Sequence, residues 1–185
     1  MCQAAHLYPL SMSDPETLEV LDFWAFLRTF WKEDHVSSWW DAVYGDVVTT
    51  KRLANMILLS QDAHHYHTLG RFALEPLGEN PDGHSLCLRF WWLRPSDSEP
   101  DQVNLTTRPH LNCDPQTFGM GMLHMNTYQP VHSGNVITIR TKDPISHPLP
   151  DMRLLEMQWV LNRLTALRGT AEPDDIDYYD DYRVL

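Results

Sequence analysis

The sequence predicts a single α+β domain with a small sheet and several helices. Three observations carry that prediction. The chain has 185 residues, 43% hydrophobic and 21% charged, enough for one core and too few for two full domains. Stretches of helical periodicity are interspersed with short strand-like stretches, and no internal repeat is visible. Clusters of Gly, Pro, Asn and Asp separate the stretches.

Ser13-Asp-Pro-Glu16 reads as a capping box with Pro15 in the first turn, so a helix is expected from about Asp14 to Trp31. It carries Leu18, Leu21, Phe23, Trp24, Phe26, Leu27, Phe30 and Trp31, apolar nearly all round. Such density implies burial or an aromatic wall. Ser37 to Asp41 reads as a second short helix. Ser60 caps a third, which Gly70 closes. Arg71–Leu77 and His84–Leu93 read as strands joined by the turn-rich Gly78–Gly83, and Val136–Thr141 as a third strand. Residues 94–125 read as a long loop. A last helix is expected over Met152–Arg168, ended by Gly169, with Leu154, Leu155, Trp159, Leu161, Leu164 and Leu167 on its buried face.

Charge narrows the function classes. Lys and Arg number 14, Asp and Glu 25, for a net charge of −11. Residues 172–185 concentrate the acid and read as a solvated tail, leaving residues 1–171 as the folded domain. The body without the tail is still acidic, which argues against sequence-independent DNA binding through a basic surface. No apolar run reaches 18 residues, and no basic stretch followed by an apolar one opens the chain. The expectation is an intracellular protein, cytoplasmic or nuclear, without a membrane partner. Cys2, Cys87 and Cys113 are too few and too scattered for a disulfide framework or a CxxC metal site.

Ten histidines and seven tryptophans are the unusual part of the composition. Three places stand out. Ala5-His6-Leu-Tyr-Pro9 is a histidine followed by an apolar step and a proline. Asn55 opens the apolar step to Ser60. Asp62-Ala-His-His-Tyr-His67 is a histidine cluster in which His64 and His67, at i and i+3, share one helix face. Two neutral imidazoles on one face suit a borderline divalent metal, which needs further ligands from elsewhere. Each signal alone is weak; the order His, Asn, His raises its weight.

That order resembles the HNH endonucleases, the ββα-metal nucleases, and within them a fungal branch with the pattern Ala-His-Ile/Leu-x-Pro. Asn55 to His64 and Gly70-Arg-Phe-Ala-Leu-Glu-Pro76 resemble the same branch. So do Leu88-Arg-Phe-Trp-Trp92, Thr141 to Pro150, Leu154 to Trp159 and Gly169-Thr-Ala-Glu172, so the resemblance covers most of the chain. It implies a metal-dependent hydrolase of phosphodiesters acting on nucleic acid. His6 would be the base activating water, Asn55 would orient the water or the metal loop, and His64 would bind the metal. The cofactor would be a divalent ion (Mg²⁺, Mn²⁺, Zn²⁺ or Ni²⁺). Histidine titrates near neutral pH, which suits a base, and a divalent ion offsets charge on the scissile phosphate.

The sequence departs from that pattern in places. Many HNH proteins carry Asp or His where this chain has Ala5, and only five residues precede His6, so an incomplete ββα-metal core belongs among the expectations. Position 67 is His where relatives tend to have an aromatic residue, which gives either a replacement metal ligand beside His64 or drift after loss of the nuclease site. Two alternatives follow. One is an HNH-derived enzyme of fungal small-molecule (secondary) metabolism, with Trp24, Trp39 and Trp40 binding an apolar substrate and histidine as acid and base. The other is a non-catalytic interaction protein built on the same scaffold.

Overall fold

The computed structural model describes residues 2–45, 53–94 and 112–167. They form an α+β domain of four α-helices and two small antiparallel sheets. The tail at 172–185, the end of the expected last helix at Arg168 and much of the expected long loop lie outside the described residues.

The chain opens with β1 (Cys2–His6), which the sequence reading did not anticipate. Five residues with two adjacent alanines carry little alternation to reveal a strand. Its partner is β2 (Met56–Ser60), antiparallel, with Cys2 opposite Ser60 and His6 opposite Met56. Helix α3 (Gln61–Thr68) follows β2 without a break and packs on both strands. Ser60 caps it by accepting from the Ala63 N–H at 3.3 Å, and Gly70 closes it at φ +61°, a conformation that favours glycine. The described residues therefore set β1, β2 and α3 in a β–β–α arrangement, without a gathered metal-ligand set among them. The stretch that looked too short to support it is itself the first strand.

Between β1 and β2 lies a helical insertion. Helix α1 (Leu18–Phe30) starts four residues later than expected. The Asp14 carboxylate accepts from the Glu16 N–H, making a tight turn, and Thr17 becomes the N-cap by accepting from the Val20 N–H. The expected all-round burial is also corrected: Val20, Trp24 and Leu27 are buried, while Leu18, Leu21, Phe26 and Phe30 face outward. Helix α2 (Glu33–Tyr44) is longer than its predicted centre. Glu33 and Asp34 complement its N-terminal dipole, and Val36, Trp39 and Val43 recur at helical spacing on its buried side. It stops at Gly45, where a Cβ would lie 2.4 Å from the Asp41 carbonyl oxygen.

The second sheet has the order β3–β4–β5, built from β3 (Phe72–Glu79), β4 (Ser85–Trp92) and β5 (Val136–Arg140). A bulge between Pro76 and Gly78 interrupts the β3–β4 register, as a proline without an N–H favours. Leu86, Leu88, Phe90 and Trp92 alternate inward from β4. Helix α4 (Met152–Leu167) packs across β3 and touches α2. Leu154 and Leu155 are buried as expected, whereas Leu167 at its far end is exposed. Several polar contacts fasten α4 to the rest. Asp151 N–H donates to the Ala54 carbonyl at 2.8 Å, Asn162 Nδ2 donates to the Phe72 carbonyl at 3.0 Å, and His35 on α2 faces Glu156 at 3.7 Å. No described helix is long and apolar enough to cross a membrane.

Candidate active site

The β–β–α unit gathers the three elements on which the sequence placed its site residues. His6 ends β1, Asn55 immediately precedes β2, and His64 lies on α3, which packs against both. Alternation along β1 puts His6 on the face shared with Cys2 and Ala4, and Ala5 on the opposite face, 2% exposed. His6 is half-buried, and both ring nitrogens are shielded from solvent. His64 is buried and its carbonyl accepts from the Thr68 hydroxyl at 2.9 Å.

Asn55 is the best-defined polar group of the site. It is buried at 4% exposure and binds the chain just beyond His6 three times. Its carbonyl accepts from the Leu7 N–H at 2.8 Å, its Oδ1 accepts from the Tyr8 N–H at 2.8 Å, and its Nδ2 donates to the Tyr8 carbonyl at 3.0 Å. Only a carboxamide offers an acceptor and a donor together to one residue's N–H and C=O in this way. Asn55 thus fixes the turn that carries the backbone out of His6. The contact from Asp151 to Ala54 braces the same segment from α4.

His67, the residue the sequence paired with His64, turns to a different neighbour. Its Nε2 accepts from Gln158 Nε2 on α4 at 2.5 Å, and its ring lies 5.9 Å from that of Phe72. Burial pushes its pKa down to about 4, and the neighbouring His64 adds a smaller push downward. The ring is therefore neutral at neutral pH, with one nitrogen engaged at the α3–α4 joint.

The donors of a metal site are not gathered here. Among the described residues no three of His, Cys, Asp and Glu cluster as a ligand set. Ala5 brings no donor, and the Gln158 bond occupies one His67 nitrogen. A closed site takes three or four protein ligands. The described residues do not fit that requirement, so no chemical step is derived through a metal.

The tryptophans assigned to an apolar substrate occupy the helical insertion. Trp24 and Trp39 are each 1% exposed and belong to the main core. Trp40 is half-buried, its ring centroid 5.2 Å from that of Trp24. A cavity of about 350 Å³ lies elsewhere, lined by Ala54, Pro148, Leu149, Asp151 and Arg153 among others, with no tryptophan. Cys113 is no nucleophile candidate, since burial, reinforced by Asp114, raises its thiol to about 11.

Residues 1–75 match the family model described as HNH endonuclease. The matched stretch spans β1, the helical insertion, β2, α3 and the start of β3, and so contains His6, Asn55, His64 and His67. The match suggests a nuclease-like function for this part of the chain. No curated protein and no solved structure matches the chain.

Sequence reasoning missed three participants. Tyr8, whose backbone Asn55 holds, pairs with Tyr44 through their hydroxyls, and Gln158 reaches His67 from 91 positions away. Tyr8 lies inside the Ala5–Pro9 motif and was open to notice there. Tyr44 and Gln158 carry no local signal, because their partners are brought to them only by the fold.

Proposed function

We propose that this chain hydrolyses phosphodiester bonds of nucleic acid, with His6 as general base. The observation that carries this reading is the Asn55 clamp on residues 7 and 8 within a β–β–α unit. It supports a base whose backbone exit is rigid, and general-base catalysis depends on such positioning. The HNH endonuclease match to residues 1–75 supports the same reading.

In the proposed reaction His6, neutral, accepts a proton from a water as the water oxygen attacks phosphorus. The bond from phosphorus to the leaving oxygen breaks, and that oxygen takes a proton from solvent. Asn55 is a positioning residue that holds the His6 turn. His64 supports α3 against the strands. Because the His6 nitrogens are shielded from solvent, the water enters the site along with substrate.

The test is cleavage of double-stranded DNA, single-stranded DNA and RNA by the full chain. Each substrate is offered with Mg²⁺, Mn²⁺, Zn²⁺ or Ni²⁺ and in chelator. The expected result is cleavage of at least one polymer, with activity peaking above the histidine titration range. Absence of cleavage by folded protein under every condition would overturn the reading. The metal arms measure separately whether an ion is needed.

A further inference from the structure

We propose that Tyr44, the last residue of α2, is a positioning residue for His6 and acts through the hydroxyl of Tyr8. The inference rests on the assignment of His6 as the base and extends that site into the helical insertion.

Tyr44 is 6% exposed and Tyr8 1%. The Tyr44 hydroxyl donates its one hydrogen to the Met12 carbonyl at 2.6 Å. In the 2.8 Å contact between the two phenols Tyr8 must then be the donor and Tyr44 the acceptor. One hydroxyl therefore links residue 12, ahead of α1, to residue 44, the end of α2, and both to Tyr8. Tyr8 stands two residues after His6, and its N–H and C=O are the groups Asn55 holds. Its ring also packs among Phe23, Trp24 and Tyr44, with centroids 6.4, 6.1 and 5.9 Å away. The turn after His6 is thus gripped on its backbone by Asn55 and on its side chain by the insertion.

The alternative is that the phenol pair only fills the core. A packing role predicts lower stability with no specific effect at His6. A positioning role predicts that loss of one oxygen atom, with the ring kept, reaches the His6 imidazole.

The experiment is NMR of the histidine Cε1–H signals in the full chain, with His6 assigned by a His6→Gln variant. The variants are Tyr44→Phe and a packing control, Trp40→Phe, which alters the ring packed on Tyr44 and keeps both hydroxyls. Tyr44→Phe is expected to shift the His6 signal and its titration midpoint and to leave those of His84 and His147 in place. Trp40→Phe is expected to leave His6 unmoved. Where cleavage is measurable, Tyr44→Phe lowers kcat several-fold at unchanged KM. Should Tyr44→Phe fail to fold, Tyr8→Phe removes the other hydroxyl of the pair and is read the same way. An unmoved His6 signal in the folded variant, or an equal shift in Trp40→Phe, overturns the proposal. A chain that cleaves nothing defeats the proposed function, and the His6 signal still decides the positioning role.

Discussion

Asn55 and His6 separate stability from chemistry at the scale of single residues. The Asn55 carboxamide satisfies a buried N–H and C=O of Tyr8, and water does not reach either readily. Asn55→Ala leaves both without that partner and is expected to cost about 2–4 kcal/mol of unfolding free energy, read from denaturant titration. Asn55→Asp removes the donor and sets a carboxylate against the Tyr8 carbonyl, so it is expected to be at least as damaging at neutral pH. His6→Ala removes a half-buried side chain at a strand end and is expected to change stability by roughly 1 kcal/mol or less. It should remove most hydrolytic activity all the same. A His6→Ala variant as unstable as Asn55→Ala would mean that His6 is chiefly structural. The sequence named both residues because a short motif at fixed order shows in the chain itself. It did not show what Asn55 binds, since Leu7 and Tyr8 lie across the insertion and meet Asn55 only after folding.

The joint between α3 and α4 sets a pH dependence at the scale of elements. The folded pKa of His67 is about 4, below its ordinary value of 6.5, because burial disfavours the charged ring. Below pH 6.5 the unfolded chain binds a proton that the folded chain does not. Stability from this group is full above about pH 6.5 and falls as pH drops toward 4, by about 3 kcal/mol in total. A series of urea midpoints across that range should show the loss, and His67→Phe should flatten it whatever its effect on absolute stability. An unchanged slope in His67→Phe would place the acid sensitivity elsewhere.

Helix α1 yields a second prediction at this scale. Trp24 is core at 1% exposure, so Trp24→Ala is expected to cost on the order of 3–5 kcal/mol, while Phe30→Ser on the outer side costs roughly 1 or less. Thermal unfolding of the two variants tests the contrast. Similar losses would mean that the outer side of α1 is covered in solution. Periodicity located α1, α3, α4 and β3 to β5 because each carries a local pattern. It could not tell which side of α1 would be buried, since apolar residues surround that helix and only its neighbours decide. It overlooked β1 and β2, which pair across some fifty residues and are evidence for each other only after folding.

For the whole molecule, the α+β class was legible from composition and element pattern, while the assembly of the site was not. A β–β–α unit interrupted by two helices has its strands far apart in sequence, and contacts of that range leave little local trace. The histidine cluster illustrates the limit. Helical spacing put His64 and His67 on one face, but Gln158 on α4 claims a His67 nitrogen, and no length of α3 alone foretells that bond. The net charge of −11 sets the remaining tension, because an acidic chain meets a polyanion against long-range repulsion. On the proposed reading, catalysis comes from local geometry at His6 rather than from a general attraction to phosphate.

The most direct measurement is nicking of supercoiled plasmid by the full chain beside His6→Ala, with the divalent ions tested singly. The account predicts that the native chain nicks the plasmid and that His6→Ala, folded to the same circular-dichroism spectrum, is slower by about 10²-fold or more. Nicking by His6→Ala at the native rate, or none by the folded native chain with any of the ions, would contradict it.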